Sequence, residues 1–340
     1  MLKLTENLPD LELCAKLLLE GNIAAIPTET VYGLAAVATD SKAVEKIFLA
    51  KGRPADNPLI IHIANITDAE RYACPSADAY RLMERFFPGP LTLIMKKKDI
   101  VPNIVTAGLD SVAVRMPSHK IAHKIIELTG HALSAPSANI SGRPSPTTAQ
   151  HVIHDFENNE YVSAVVDGGS CRFGVESTVV SLVSEAPTLL RPGFITADEL
   201  REVVPDLKIA EAVLKTLPEN EKALSPGLKH KHYAPSAQTV CVRGGSEKAT
   251  EYINNFIKAH NGRTTVICFN EEAEKFACKV IPYGAEKDSE AQAENLFAAL
   301  RTADENGSDT IFIRLSSTEG VGLAVANRVL RACGFNVINV

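Results

Sequence analysis

Residues 27–62 constrain this chain more than any other stretch. They read PTETVYGL, then a short helix-like run, then KGRPADNPLIIH. Hydroxyl side chains and a glycine stand where an apolar strand at 22–26 comes to an end. Further on, Lys51 and Arg53 flank a helix stop at Gly52, and two prolines, Pro54 and Pro58, stiffen the approach to a second apolar strand at 59–63. Two cations and the Asp56 and Asn57 side chains therefore crowd one loop between buried elements. Such a loop suits a polyanion, with arginine as a fork and lysine as a point charge. The chain has no Walker A run, so a nucleotide here is held in another way.

The remaining pattern is α/β. Helices are expected at 11–20 (capped by Asp10), 41–50 (capped by Ser41), 76–87, 119–128 and 147–156. Strands are expected at 91–95, 112–115, 132–135, 162–167, 177–183 and 188–191, the last two pairing as a hairpin across SEAP. Composition shifts near residue 205, and 206–236, with Pro218, Pro226, Gly227, Pro235 and KHKHY, reads as a linker with room for a short helix at 209–216. Beyond it, strands at 239–242, 264–269, 279–282 and 310–314 alternate with helices at 247–259, 290–303 and 321–332. That alternation predicts a smaller Rossmann-like parallel sheet over 237–340. No GxGxxG follows any of these strands, so the fold carries no dinucleotide assignment.

A length of 340 residues favours two domains, and a net charge of −6 argues against broad nucleic-acid coating. The seven cysteines form no CxxC and no zinc-like spacing, which reads as reduced thiols. No signal pattern opens the chain, and no apolar run reaches the roughly 20 residues of a membrane span, so a cytoplasmic protein is expected.

Several further residues can carry chemistry. SAPSANISGRPS, residues 134–145, offers hydroxyls and backbone N–H groups after a buried strand, where α/β ligand loops lie. Arg115 ends an apolar strand and needs an anionic partner, either a substrate carboxylate or an internal acid. His62 lies in LIIHIA, where a satisfied core histidine is the more frequent case. Glu176, in the turn 173–178, either holds a metal or structures the loop. Arg191 ends another strand. There is no GxSxG, no triad order and no metal-ligand set. What remains is a site that orients anions.

Taken together, PTETVYGL, KGRPADNPL, FPGPLTLI, VAVRMP, SAPSANISGRPSPT, GVESTVV, LLRPG and SPGLKHKHYAP stand in order over most of residues 20–236. This series resembles the threonylcarbamoyl-AMP synthase family in its long, two-domain form. The resemblance implies a YrdC-like twisted open mixed sheet over 1–205, a lid over the active site at 206–236 and the Rossmann-like domain at 237–340. It implies a nucleotidyltransferase that makes L-threonylcarbamoyladenylate from L-threonine, bicarbonate or CO2, and ATP, releasing pyrophosphate. The product would pass to a tRNA threonylcarbamoyl transferase machinery for N6-threonylcarbamoyladenosine at position 37 of tRNAs reading codons that begin with A. By the same resemblance Lys51, Arg53, Asn57, Ser111, Ser137, Asn139, Ser145, Arg191 and Tyr233 contact ATP, with Lys51 and Arg53 catalytic. Thr30, His62, Arg115, Ala135 (through its backbone) and Ser177 hold threonine, and Mg2+ arrives with the nucleotide. Lys51→Ala is then expected to lose synthesis with the fold intact. Two departures stand out: Ala36 where the family often has Gly, and Leu228, His230 and Lys231 where it favours Met, Tyr and Arg. An RNA-binding module, or a different ATP-dependent ligase or kinase, shares the same cationic grip and stays open on the residues alone.

Overall fold

A computed structural model describes residues 1–215 and 233–340. They fall into two units, one built on Met1–Ser141 and Ser145–Val213, the other carrying residues 233–340. Most of the 206–236 segment read as a lid, residues 216–232, lies outside the described residues.

The first unit is a mixed sheet of twelve strands. In chain order they are β1 (Leu2–Leu4), β2 (Ile23–Ile26), β3 (Gly33–Val37), β4 (Ile60–His62), β5 (Ala73–Cys74), β6 (Leu91–Lys97), β7 (Ser111–Arg115), β8 (Leu133–Ser134), β9 (Val162–Val166), β10 (Thr178–Ser181), β11 (Thr188–Arg191) and β12 (Lys208–Ile209). Across the sheet the order is β1-β9-β2-β3-β8-β4-β7-β6-β10-β11-β12, with β5 on β6. The strands alternate between two cores. Ile23 and Ala25 of β2 enter one, Ala24 and Ile26 the other; Leu34 and Ala36 of β3 separate from Ala35 and Val37 in the same way. Helices Leu8–Leu19 and Lys120–Thr129 cover the smaller core with Leu11, Leu18, Ile121 and Ile125. Helices Ser41–Lys51 and Ala77–Phe86 cover the larger with Val44, Ile47, Leu82 and Met83. Strands buried on both faces read as continuous apolar runs, not alternations.

Along β4, β7, β6 and β10 the second face changes character. It carries a patch of five buried apolar residues, Ile60, Ala113, Ile94, Val179 and Leu190. Beside this patch the register sets polar side chains in a row: His62 lies opposite Arg115, and Arg115 opposite Thr92. Residues directly opposite one another across neighbouring strands share a face, so the site begins here.

Several local expectations are corrected. A strand not expected, β3, starts inside PTETVYGL at Gly33, ends at Val37 before the helix at Ser41–Lys51, and pairs antiparallel with β2 and β8. Asn7, not Asp10, caps the first helix; its Oδ1 accepts the Asp10 N–H at 2.9 Å, while the Asp10 carboxylate accepts the Thr5 N–H and hydroxyl. Asp40, not Ser41, caps the second helix, and Gly52 closes it at φ +59°. In place of a helix at 209–216 there is β12 on β11 and one 3-10 turn at Glu211–Val213. A helix at Ala197–Val203, with a capping box between Thr196 and Glu199, was not expected. The hairpin across SEAP forms, as β10 and β11.

The second unit holds β13 (Gln238–Arg243), β14 (Thr264–Cys268), β15 (Lys279–Pro282), β16 (Thr310–Leu315) and β17 (Val337–Asn339), in the order β15-β14-β16-β13-β17. Every pairing is parallel. Helices Ser246–Ala259, Ser289–Glu305 and Val321–Ala332 link the strands, as the alternation predicts. Arg314 is fully buried. Its Nε lies 3.1 and 2.9 Å from the two Glu272 oxygens, and its Nη groups donate to the carbonyls of Val242 and Gly244. Among the described residues no helix is long and apolar enough to cross a membrane.

Candidate active site

Arg115 ends β7 with its side chain 4% exposed. Nη1 donates to Thr30 Oγ1 at 2.9 Å, and Nη2 stands 2.7 Å from Glu29 Oε1. The sequence left open whether its partner is a substrate or an internal acid; an internal acid is there. Thr30 is fixed in turn, because Thr28 Oγ1 lies 2.9 Å from Thr30 Oγ1 and donates to the Val31 carbonyl. PTET is thus a buried knot of hydroxyls that aims Thr30 and Glu29 at Arg115.

His62 flanks Arg115 on β4, buried, with Nδ1 lacking a hydrogen-bond partner among the described residues. Burial first, and the Arg115 charge second, hold its pKa down to about 3. A neutral imidazole beside a guanidinium can face a substrate without adding positive charge. The unfolded chain takes up a proton near pH 6.5 that the native site refuses, so stability falls as pH drops from about 6.5 towards 3. At pH 5 this residue alone lowers stability by about 2 kcal/mol relative to pH 7. Denaturant unfolding at both pH values should find the wild-type loss larger than that of His62→Gln by about this amount.

On the other side of Arg115, Thr92 Oγ1 sits 2.7 Å from Ser177 Oγ. Arg191, at the end of β11, donates Nη2 to Ser177 Oγ and Nε to the Ser177 carbonyl, both at 3.0 Å. Gly193 allows this corner to close: a Cβ there would lie 2.4 Å from the Thr178 nitrogen. Ala135 is buried, and its N–H is taken by the Ile60 carbonyl at 3.1 Å, which leaves its carbonyl as the group able to meet a ligand. The five residues assigned to threonine thus lie on or beside neighbouring strands.

The residues assigned to ATP are less uniform. Lys51 is buried, and its ammonium donates to the backbone carbonyls of Ser137 and, at 2.6 Å, Asn139. It therefore pins the 134–145 loop to the end of its own helix. Arg53 donates to the Asn57 carbonyl at 3.0 Å and lies over the Phe48 ring. Asn57 is wholly buried, and neither amide atom has a hydrogen-bond partner among the described residues. Leaving such a group unfilled costs about 1–3 kcal/mol. Asn139 Nδ2 donates to the Ile140 carbonyl, and the Ser145 hydroxyl donates to Glu176 Oε1 at 2.6 Å. Glu176 thereby structures its loop. Ser111 shares the Arg115 face but starts the same strand, about 13 Å away at strand rise. There it lines a separate pocket of about 370 Å3 with Cys74, Ser76, Lys96 and Asp110. Tyr233 belongs to the second unit, at φ +64°, against Phe297 and beneath Arg328.

Sequence reading missed Glu29 and Thr92. Glu29 gave one usable signal, a carboxylate inside a segment otherwise made of buried-element residues. Burial holds the nearby His119 below its usual range against the pull of Glu29 and Glu6.

A mixed sheet with cations and hydroxyls gathered at its strand ends, followed by a parallel-sheet unit, is also the order in which known family models match. One described as "Telomere recombination", of the Sua5/YciO/YrdC group, matches residues 16–193; another, described as "Threonylcarbamoyl-AMP synthase, C-terminal domain", matches 195–334. A Pyrococcus abyssi protein named threonylcarbamoyl-AMP synthase is 44% identical over 97% of this chain and 96% of its own. A Bacillus subtilis protein of the same name is 42% identical over 99% and 96%. The crystal structure of P. abyssi Sua5 complexed with L-threonine superposes with a TM-score of 0.93 at 43% identity, covering 100% of this chain and 99% of that one. These relatives and family models, on this α/β fold, define a nucleotidyltransferase-type enzyme. The chain belongs to the threonylcarbamoyl-AMP synthase family, in the form that carries both domains.

Proposed function

We propose that this enzyme condenses L-threonine, bicarbonate or CO2, and ATP into L-threonylcarbamoyladenylate with release of pyrophosphate. The observation that carries this reading is the buried row His62–Arg115–Thr92 with Thr30 and Ser177 at its edges, a set shaped for a small hydroxylated amino acid. The relative crystallised with L-threonine supports the same acceptor.

Arg115 takes the α-carboxylate and orients the amine. The free amine attacks CO2, forming the N–C bond of a carbamate and losing its proton to solvent. A carbamate oxygen then attacks the α-phosphorus of ATP in line; its P–O bond forms as the bond to the β-phosphate bridge breaks, and pyrophosphate leaves. No protein nucleophile is required, so positioning and charge stabilisation dominate. Lys51, Arg53, Asn57, Ser137, Asn139, Ser145 and Arg191 form the proposed nucleotide side, and Asn57 supports it best because its buried amide awaits a partner. Among the described residues no group of three acid, histidine or cysteine side chains gathers to hold an ion. By the family resemblance, Mg2+ would arrive with the nucleotide phosphates, where it would offset their charge. The product is the activated donor for N6-threonylcarbamoyladenosine in tRNA.

Pyrophosphate release tests the proposal. It should require threonine and bicarbonate together, and a mass spectrum should contain an adenylate carrying threonine. Release that proceeds without either one overturns the assignment.

A further inference from the structure

None of the residues assigned to threonine is an acid, so the α-ammonium of the incoming amino acid has no anionic partner among them. Glu29 supplies one. It is 4% exposed, and its backbone is fixed by the Phe173 N–H, which donates to the Glu29 carbonyl at 2.9 Å. Its Oε1 lies 2.7 Å from Arg115 Nη2, but off the line a hydrogen bond needs. Among the described residues neither carboxylate oxygen has a hydrogen-bond partner, and neither does Nε or Nη2 of Arg115. Two buried, oppositely charged groups thus face one site with their hydrogen-bonding capacity unfilled.

A buried pair that serves only the fold is stable when its remaining lone pairs and protons are satisfied. Here both halves remain open, and the missing partners are complementary: an acceptor for Nε and Nη2, and a multiple N–H donor for the carboxylate. A zwitterionic α-amino acid presents both on one carbon. It also brings no net charge into a neutral buried pair, whereas an α-hydroxy acid would bring one negative charge and no cation to face Glu29. We infer that Glu29 is the binding residue for the α-ammonium, paired with Arg115 for the carboxylate, and that it makes the site selective for amino acids over hydroxy acids. This rests on the reading that threonine is the acceptor.

Calorimetric titration of the full chain, without nucleotide, tests it with two ligands: L-threonine and the analogue with a hydroxyl in place of its ammonium. Glu29→Gln keeps the shape and removes the charge. It should weaken threonine binding about 10- to 100-fold, the worth of one charged hydrogen bond, and leave the analogue as tight as in wild type or tighter, because the anionic ligand then faces no uncompensated carboxylate. Equal losses for both ligands would mean that Glu29 only props Arg115, and tighter threonine binding would mean that it occupies the carboxylate's place; either overturns the inference. Threonine binding indifferent to the substitution overturns this inference alone, whereas no threonine binding by the unsubstituted chain overturns the proposed function with it. Should Glu29→Gln not fold, Glu29→Asp keeps the charge on a shorter arm. It should weaken threonine and spare the analogue, and loss of both overturns the inference.

Discussion

Arg115→Ala is expected to abolish threonine-dependent pyrophosphate release and to weaken threonine binding by at least about 100-fold, because the site loses its only fork for a carboxylate on that strand row. It should also destabilise the protein by about 3–5 kcal/mol, since Glu29 is left as a buried carboxylate without a cation. Calorimetry and denaturant unfolding separate the two effects. Arg115→Lys keeps a positive charge near Glu29 but not the planar fork. It should regain part of the stability and little of the affinity. Arg115→Ala combined with Glu29→Ala should be more stable than Arg115→Ala alone, because neither charge is then stranded. If the double substitution is the less stable protein, the electrostatic account of this pair is wrong.

Lys51→Ala is the second large effect, and the structure changes what it should look like. The sequence alone makes Lys51 a phosphate grip whose loss spares the fold. Its ammonium instead joins two loop carbonyls, of Ser137 and Asn139, to the last turn of helix Ser41–Lys51. Removing it leaves those carbonyls short of a donor, at a cost of about 2–4 kcal/mol, and releases the loop that carries Ser137, Asn139 and Ser145. Synthesis should fall about 100-fold or more, with the rise in KM confined to ATP, while direct threonine binding changes by no more than about twofold, because Ala135 of the same loop stays anchored to β4 by its N–H to the Ile60 carbonyl. Lys51→Arg should not rescue it, since two carbonyls converging on one ammonium do not match a planar fork. A variant with wild-type stability and a raised KM for threonine would show that the loop tether is not what Lys51 provides.

Much of this was legible in the sequence, and the failures have physical causes. The parallel unit could be read almost element by element, because its strands and helices alternate at clear periods. In the mixed sheet, β3 was hidden. Gly33–Val37 is apolar on both faces, so it lacks the period-two signal of a half-exposed strand, and it is too short to be told from a helical turn. β1 was hidden for another reason: its partner β9 lies far along the chain, and nothing local marks the pairing. In the site, Arg115 and Arg191 announced themselves as cations at the ends of apolar strands. Glu29 did not. A lone glutamate among threonines has no diagnostic spacing, and only its distance to Arg115 reveals a partner. Ser111 was grouped with the nucleotide residues by resemblance alone; the strand sets it about 13 Å from Arg115, at the far end of β7.

The row of His62, Arg115 and Thr92 has a consequence for how this protein becomes competent. These three side chains share a face only because β4, β7 and β6 pair in one register. A slip of β7 by a single residue would turn Arg115 into the apolar core and bring Val114 to the ligand side. Misregistered chains therefore bury a charge and lose the carboxylate fork in the same step. Strand pairing would then act as a proofreader for the proposed binding site: any molecule able to hold an amino acid there has already assembled its central sheet correctly.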